Sequence, residues 1–180
     1  MNDQEFGFET QAIRNKLERT QFLEHSVPLY LTSSFVFEDA EDMRASFAEE
    51  KDRNIYSRYS NPNTNEFVDK VCAMEGAAAG FAFASGMAAV YSTLAALLKS
   101  GDHIVSSSSV FGATHSLFIN YFPKWNIETS YFDINNPEII EGLITPDTKI
   151  LFAESPTNPA VDIIDLELLG AIAKKHNLIL

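Results

Sequence analysis

Four short stretches of this sequence combine residue types that can hold an anion or a planar ring. In Phe83-Ala84-Ser85-Gly86-Met87-Ala88, an apolar segment runs into a helix pattern through Ser-Gly. The unbonded N–H groups and the dipole of a helix start attract negative charge, so the amides of Gly86 and Met87 can receive a phosphate. The simpler alternative is that Ser85 only caps the helix. In Tyr56-Ser57-Arg58-Tyr59-Ser60-Asn61-Pro62, an extended backbone would project Tyr56 and Arg58 to one side. A phenol and a guanidinium so placed can grip one phosphate, Arg through paired donors. From the spacing alone, a surface arginine packed beside aromatics is the favoured reading.

The third stretch, Glu154-Ser155-Pro156-Thr157-Asn158-Pro159, follows an apolar run that reads as a strand. Ligands of open α/β sheets collect at the carboxyl ends of strands. Two X-Pro bonds fix the path there, one of them a candidate for the cis form, and Asn158 can offer its amide. The alternative is a loop merely stiffened by proline. In the fourth, Ser109-Val110-Phe111-Gly112-Ala113-Thr114, the Phe111 ring can stack on a planar group or simply pack in the core.

The elements that must position these residues change character along the chain. Residues 1–62 show amphipathic helices near Thr10–Glu18 and Asp39–Glu50, separated by extended polar-aromatic segments. This is the pattern of an arm laid across another surface. From residue 63 the rhythm is regular. A helix capped by Thr64 runs to Glu75, with Phe67, Val68, Val71 and Met74 on one face. A strand at Phe81–Ala84 and a helix from Gly86 to Lys99, closed by Gly101, come next. Strands follow at His103–Ser107, Ile127–Phe132 and Lys149–Ala153, with helices at Ala113–Phe122, Pro137–Leu143 and Asp165–His176. Strand and helix alternating at these spacings predict an α/β fold, a doubly wound, parallel-rich sheet. Leu178-Ile179-Leu180 begins an apolar strand that the sequence does not continue, so the expected fold is truncated, 63–180 being the first half of a large domain.

Composition narrows the function classes. Of the 180 residues, 46% are hydrophobic and 21% charged, which excludes wholesale disorder. Asp and Glu number 25 against 13 Lys and Arg, a formal charge of −12. That balance argues against a nucleic-acid partner, whose binding draws on clustered Lys and Arg. Gly76–Leu98 carries no charge, but its Ala and Gly are weakly apolar and Ser85-Gly86 divides it, so no membrane span is expected. No metal site is expected either. The lone Cys72 reads as a packed thiol, and His25, His103, His115 and His176 are too dispersed to ligate together. The acidic N-terminus lacks the features of a signal peptide, and the expected compartment is the cytoplasm.

Taken together, Tyr-Ser-Arg-Tyr-x-Asn-Pro, Ser-Gly-Met and Glu-Ser-Pro-Thr-Asn-Pro resemble the cysteine and methionine metabolism (trans-sulfuration) family of pyridoxal-phosphate enzymes, within fold type I. The resemblance runs from about Phe6 to Leu180. It implies pyridoxal 5'-phosphate as cofactor, with its phosphate on the amides of Gly86 and Met87. It implies that Tyr56 and Arg58 reach that phosphate in a neighbouring subunit of a homotetramer, a dimer of dimers, which would account for the arm. Tyr56 is also expected to assist proton transfer or leaving-group departure. Asn158 would contact the cofactor's ring oxygen, and Glu154 lies beside the same pocket.

Two departures refine the expectation. Many family members place a Tyr where this chain has Phe111, which keeps the stacking ring and loses the hydroxyl. With Phe8-Glu9-Thr10-Gln11-Ala12-Ile13-Arg14 and Thr32-Ser33-Ser34-Phe35-Val36-Phe37, this is most similar to the O-succinylhomoserine and O-acetylhomoserine sulfhydrylases. The implied reaction is γ-replacement on an O-acylhomoserine, an amino-acid substrate, by sulfide or a thiol. Homocysteine or cystathionine would be the product, as in methionine biosynthesis and as a cystathionine γ-synthase would make. A methionine or cystathionine γ-lyase is the alternative, and a non-catalytic chain that binds a phosphate ligand or pairs with other subunits is a third. Second, the family's Schiff-base lysine in Ser-x-Thr-Lys has no counterpart among residues 1–180. The chain is therefore expected to be an N-terminal portion, inactive alone.

Overall fold

The computed structural model describes residues 7–14 and 19–180. They form two units, residues up to Ala82 and residues from Phe83 onward.

The first unit is built from short helices and polar ties. Helix α1 spans Phe8–Arg14; the expected continuation to Glu18 enters residues outside the described ones. Helix α2, Ala40–Phe47, starts where expected, because the Asp39 carboxylate accepts the Asp42 N–H at 2.8 Å. Asp42 is itself buried and gathers Lys51, Arg53 and the Glu38 N–H. The Lys51 ammonium, then that N–H and the charge of Arg53, hold its carboxyl down to about 2.

Helix α3 spans Pro62–Glu75, three residues longer at its start than a Thr64 cap predicts. Asn61 is the cap, accepting the Asn63 N–H at 2.9 Å, and Pro62 supplies a ready-made helical φ in the first position. The Asn61 amide also donates to Tyr30 O and Ser57 Oγ, while Asn63 bonds Pro28 O and the Tyr30 N–H. These two asparagines tie segment 28–30 to the helix start. Gly76 closes α3 in the left-handed region at φ 63°, its N–H returning to Cys72 O.

The second unit is the sheet. Helix α4 spans Gly86–Leu97 and β1 His103–Ser107. Helix α5, Gly112–Ser116, leads through a π-helical turn, Leu117–Tyr121, into a 3-10 turn, Phe122–Trp125. The sequence predicts one α-helix here. Pro123 has no N–H to close an α turn, and the backbone changes pitch around it. Strand β2 (Glu128–Phe132), a 3-10 turn (Pro137–Ile139) leading into α6 (Ile140–Leu143), β3 (Thr148–Phe152) and α7 (Leu166–His176) follow. Asp165 caps α7 by accepting the Leu168 N–H at 2.9 Å.

All three strands are parallel, in the order β2-β1-β3. Ile179 pairs in parallel with Ile150 on the far side of β3, through Ile179 N–H to Lys149 O and Leu151 N–H to Ile179 O. Residues 81–84 are not a strand; they lie outside this sheet, and Phe81 is 76% exposed. An apolar run specifies burial, whereas a strand also requires a neighbour in register. Helix α4 likewise stops at Leu97, short of Lys99, because Leu98 turns extended before Gly101, at φ 93°, reverses the chain.

Both faces of the sheet are covered. Ile104 and Ile150 face a core with Leu94, Leu117, Phe118 and Phe122, from α4 and the α5 segment. Val105 and Leu151, one residue on, face Ile140, Leu169 and Ile172, from α6 and α7. The period of two along parallel strands thus feeds two cores, which makes the unit doubly wound. Each fully buried side chain contributes about 1.5–3 kcal/mol. No helix among the described residues is long and apolar enough to cross a membrane.

Candidate functional site

Three turns of the second unit meet at one cleft. It has a volume of about 670 Å³ and is lined by Ser85, Gly86, Met87, Val90, Phe111, Thr114, Phe152, Ala153 and Glu154. Phe111 follows β1 and Glu154 follows β3, so the cleft lies at the carboxyl ends of parallel strands, where such sheets take ligands. Four of the predicted residues, Gly86, Met87, Phe111 and Glu154, are thereby brought together.

The α4 turn is shaped for an anion. Ser85 is extended (φ −158°, ψ 158°), and its hydroxyl accepts the Ala88 N–H at 3.2 Å. The first intrahelical bond is Ala89 N–H to Ser85 O. The N–H groups of Gly86 and Met87 precede it and are the helix-start donors that Ser85 does not take. The cap and the anion site are therefore compatible readings rather than competing ones. A Cβ built on Gly86 would meet no atom within 4 Å, so the space beside this backbone is open to an incoming group.

Opposite in chemistry are the apolar walls. Phe111 is 45% exposed while lining the cleft, and its N–H donates to Glu154 Oε2 at 2.7 Å. Thr114 was not anticipated from the sequence. It is only 3% exposed, and its hydroxyl donates to Met87 Sδ at 3.7 Å, linking the first turn of α5 to the turn at Met87. Its position three residues after Phe111, one helical turn on, is the signal that could have found it.

Asn158 lies apart. It sits in an exposed turn at 158–160 and does not line the cleft. The Ser155-Pro156 and Asn158-Pro159 bonds are both cis, where one was anticipated. Buried Thr157 anchors this loop: its N–H donates to Asp162 O and its hydroxyl accepts the Asp162 N–H, each at 2.9 Å.

Tyr56 and Arg58 belong to the first unit. Their segment is a turn, not the extended run predicted. Tyr56 bridges Ser34, and Tyr56 O then accepts the N–H groups of Tyr59 and Ser60. The turn still brings the pair to one side, with the Arg58 guanidinium 4.7 Å from the Tyr56 ring centre and 5.1 Å from that of Tyr59. A hydrogen bond to Tyr59 holds Arg58 further above its ordinary value, so the cation is secure.

A doubly wound α/β unit with a free helix start and an apolar, aromatic-walled cleft at its strand ends is a domain suited to a phosphorylated planar ligand. The chain belongs to the Cys/Met metabolism PLP-dependent enzyme family, whose model matches residues 9–180. It is 42% identical to an O-succinylhomoserine sulfhydrylase of Pseudomonas aeruginosa, over 93% of this chain and 41% of that protein. It is 35% identical to an L-methionine gamma-lyase of Porphyromonas gingivalis, over 94% of this chain and 43% of that protein. A crystal structure from Campylobacter jejuni, described as an O-acetylhomoserine (thiol)-lyase, carries N'-pyridoxyl-lysine-5'-monophosphate. It superposes with a TM-score of 0.90 at 35% identity, covering 96% of this chain and 43% of that one. The chain thus spans less than half the length of the curated relatives it matches. The family's cofactor is pyridoxal phosphate, and the cleft fits it: two amides for a phosphate, apolar walls for a ring, and a volume of small-ligand scale.

Proposed function

We propose that the whole protein catalyses γ-replacement on an O-acylhomoserine, succinyl or acetyl, with sulfide or a thiol entering as the acyl carboxylate leaves. The product is homocysteine, or cystathionine where cysteine is the thiol. The observation that carries this reading is Phe111, an exposed ring without a hydroxyl on the cleft wall. Identity to the P. aeruginosa sulfhydrylase supports it.

Bound pyridoxal phosphate supplies an electron sink for charge developing on substrate carbons. The residues of this chain bind and orient. Gly86 and Met87 donate their amides to the phosphate, and Phe111 stacks on the ring. Val90, Phe152 and Ala153 keep water from its edges. Tyr56 and Arg58 extend to the phosphate of a neighbouring subunit in a homotetramer, with Tyr56 moving a proton at the shared site; the stacking of Arg58 on two tyrosines supports a pre-set grip. Asn158, in the loop after β3, would contact the ring oxygen. The reading places the enzyme in the cytoplasm and the attachment lysine beyond Leu180.

The test is an assay of the whole protein with O-succinylhomoserine or O-acetylhomoserine and sulfide. Homocysteine formation supports the reading. The 35% identity to an L-methionine gamma-lyase favours a second one, elimination. Release of 2-oxobutyrate from methionine, without sulfur addition, would establish it. Bound phosphate ligand with neither activity would leave a non-catalytic chain.

A further inference from the structure

We propose that Glu154 is a positioning residue of the cleft, setting the orientation of the Phe111 ring through the Phe111 backbone N–H. This rests on the cofactor reading above. The bond spans 43 positions of sequence and joins the segment after β1 to the segment after β3. At 2.7 Å it is at the short end for an N–H donor on a carboxylate, the regime of charge-assisted bonds.

Phe111 needs such an external tie. It sits at the start of α5 with φ −52° and ψ 137°, and its side chain forms no cap. It stays half exposed, so packing holds its side chain less than it would a core residue's. The other anchor of the same turn is Thr114, buried and bonded to Met87 Sδ. The first turn of α5 is thus fixed from β3 by Glu154 and from α4 by Met87. The residue that presents the ring and the residue that presents a phosphate donor are thereby coupled through one short helix.

Charge gives a second reason. A carboxylate lining an apolar-walled cleft is costly to desolvate unless it is hydrogen-bonded. Turned onto the Phe111 N–H, the Glu154 carboxylate has a donor of its own.

The experiment uses the whole protein and the variants Glu154→Ala, Glu154→Gln, Phe111→Ala and the double Phe111→Ala/Glu154→Ala. Hydrogen exchange of the Phe111 amide is measured without cofactor. Pyridoxal phosphate affinity and the visible circular dichroism of the bound cofactor are then measured. In Glu154→Ala, exchange is expected to accelerate about tenfold or more and the dissociation constant to rise about tenfold. Glu154→Gln, which keeps an acceptor oxygen, stays within roughly threefold of the parent. The double variant binds no more weakly than Phe111→Ala alone, because Glu154 acts through that ring. Additive losses in the double variant, unchanged exchange in a folded Glu154→Ala protein, or a Gln variant as impaired as Ala would each overturn the proposal. If Glu154→Ala fails to fold, Glu154→Asp, one methylene too short to reach, replaces it. Failure of the parent to bind pyridoxal phosphate would refute the cofactor reading, while the exchange result still judges the tie.

Discussion

His103→Leu tests the polar clasp at the base of the sheet. His103 opens β1, is 7% exposed, and reaches both neighbouring strands. Nδ1 lies 2.8 Å from Thr148 Oγ1 on β3, and Nε2 lies 3.0 Å from Ser130 Oγ on β2. Leucine fills a similar volume and makes neither bond. Two net hydrogen bonds are worth about 1 kcal/mol each, and leaving the Ser130 hydroxyl without its partner adds about 1 more. Thr148 Oγ1 retains the Thr145 N–H at 2.8 Å and escapes that penalty. The expected loss is therefore about 2–4 kcal/mol.

The same residue fixes a pH dependence. Burial lowers the His103 pKa from its ordinary 6.5, against the opposing pull of Glu128 and Asp147. The unfolded chain then binds a proton that the folded chain resists. Stability is full above about pH 6.5 and falls as pH drops from there toward the lowered folded value. Denaturant unfolding at pH 8 and at pH 6 measures both effects. Subtracting the His103→Leu series isolates the contribution of His103. A loss under about 1 kcal/mol, or identical pH slopes in parent and variant, would refute the reasoning.

Three further outcomes are expected. Phe118→Ala should cost about 3–5 kcal/mol in denaturant unfolding, since the ring is buried edge-on against Phe152 at 5.3 Å and beside Phe122 at 5.8 Å. Gly80→Ala should destabilise by about 1–3 kcal/mol, because its Cβ would stand 2.9 Å from Cys72 Sγ and 3.1 Å from Val68 Cγ1; Cys72→Ala in the same chain should recover much of that, read by thermal melting. Asp42, held at about 2 by Lys51 first and then by the Glu38 N–H and Arg53, stabilises the folded state above its ordinary 3.8 and ceases to as pH falls toward 2. Acid unfolding monitored on residues 38–53 should therefore shift toward neutral pH in Lys51→Ala.

What could be read in advance was whatever a residue's near neighbours decide. β1 falls on His103–Ser107 because five residues there are buried on both faces, and buried parallel strands are written as unbroken apolar or small runs. Asp39, Ser85 and Asp165 cap the helices that follow them, since a cap is a bond across three residues. The Asn61 cap was hidden only because Asn61-Pro62 also completes a ligand-like motif, and a residue can serve local structure and a site together. Segment 81–84 failed as a strand for the opposite reason: its own residues are suited, but pairing is a property of two segments. The cleft divides along the same line. Gly86 and Met87 follow from a helix start, a local fact. The Glu154 tie to Phe111 joins residues 43 apart, and the Thr114 tie to Met87 joins residues 27 apart. Helical spacing from Phe111 marks Thr114 itself, but neither pairing leaves a trace in periodicity or composition. Side chains that adjust a site across the sheet become visible only when the strands between them have been put in order.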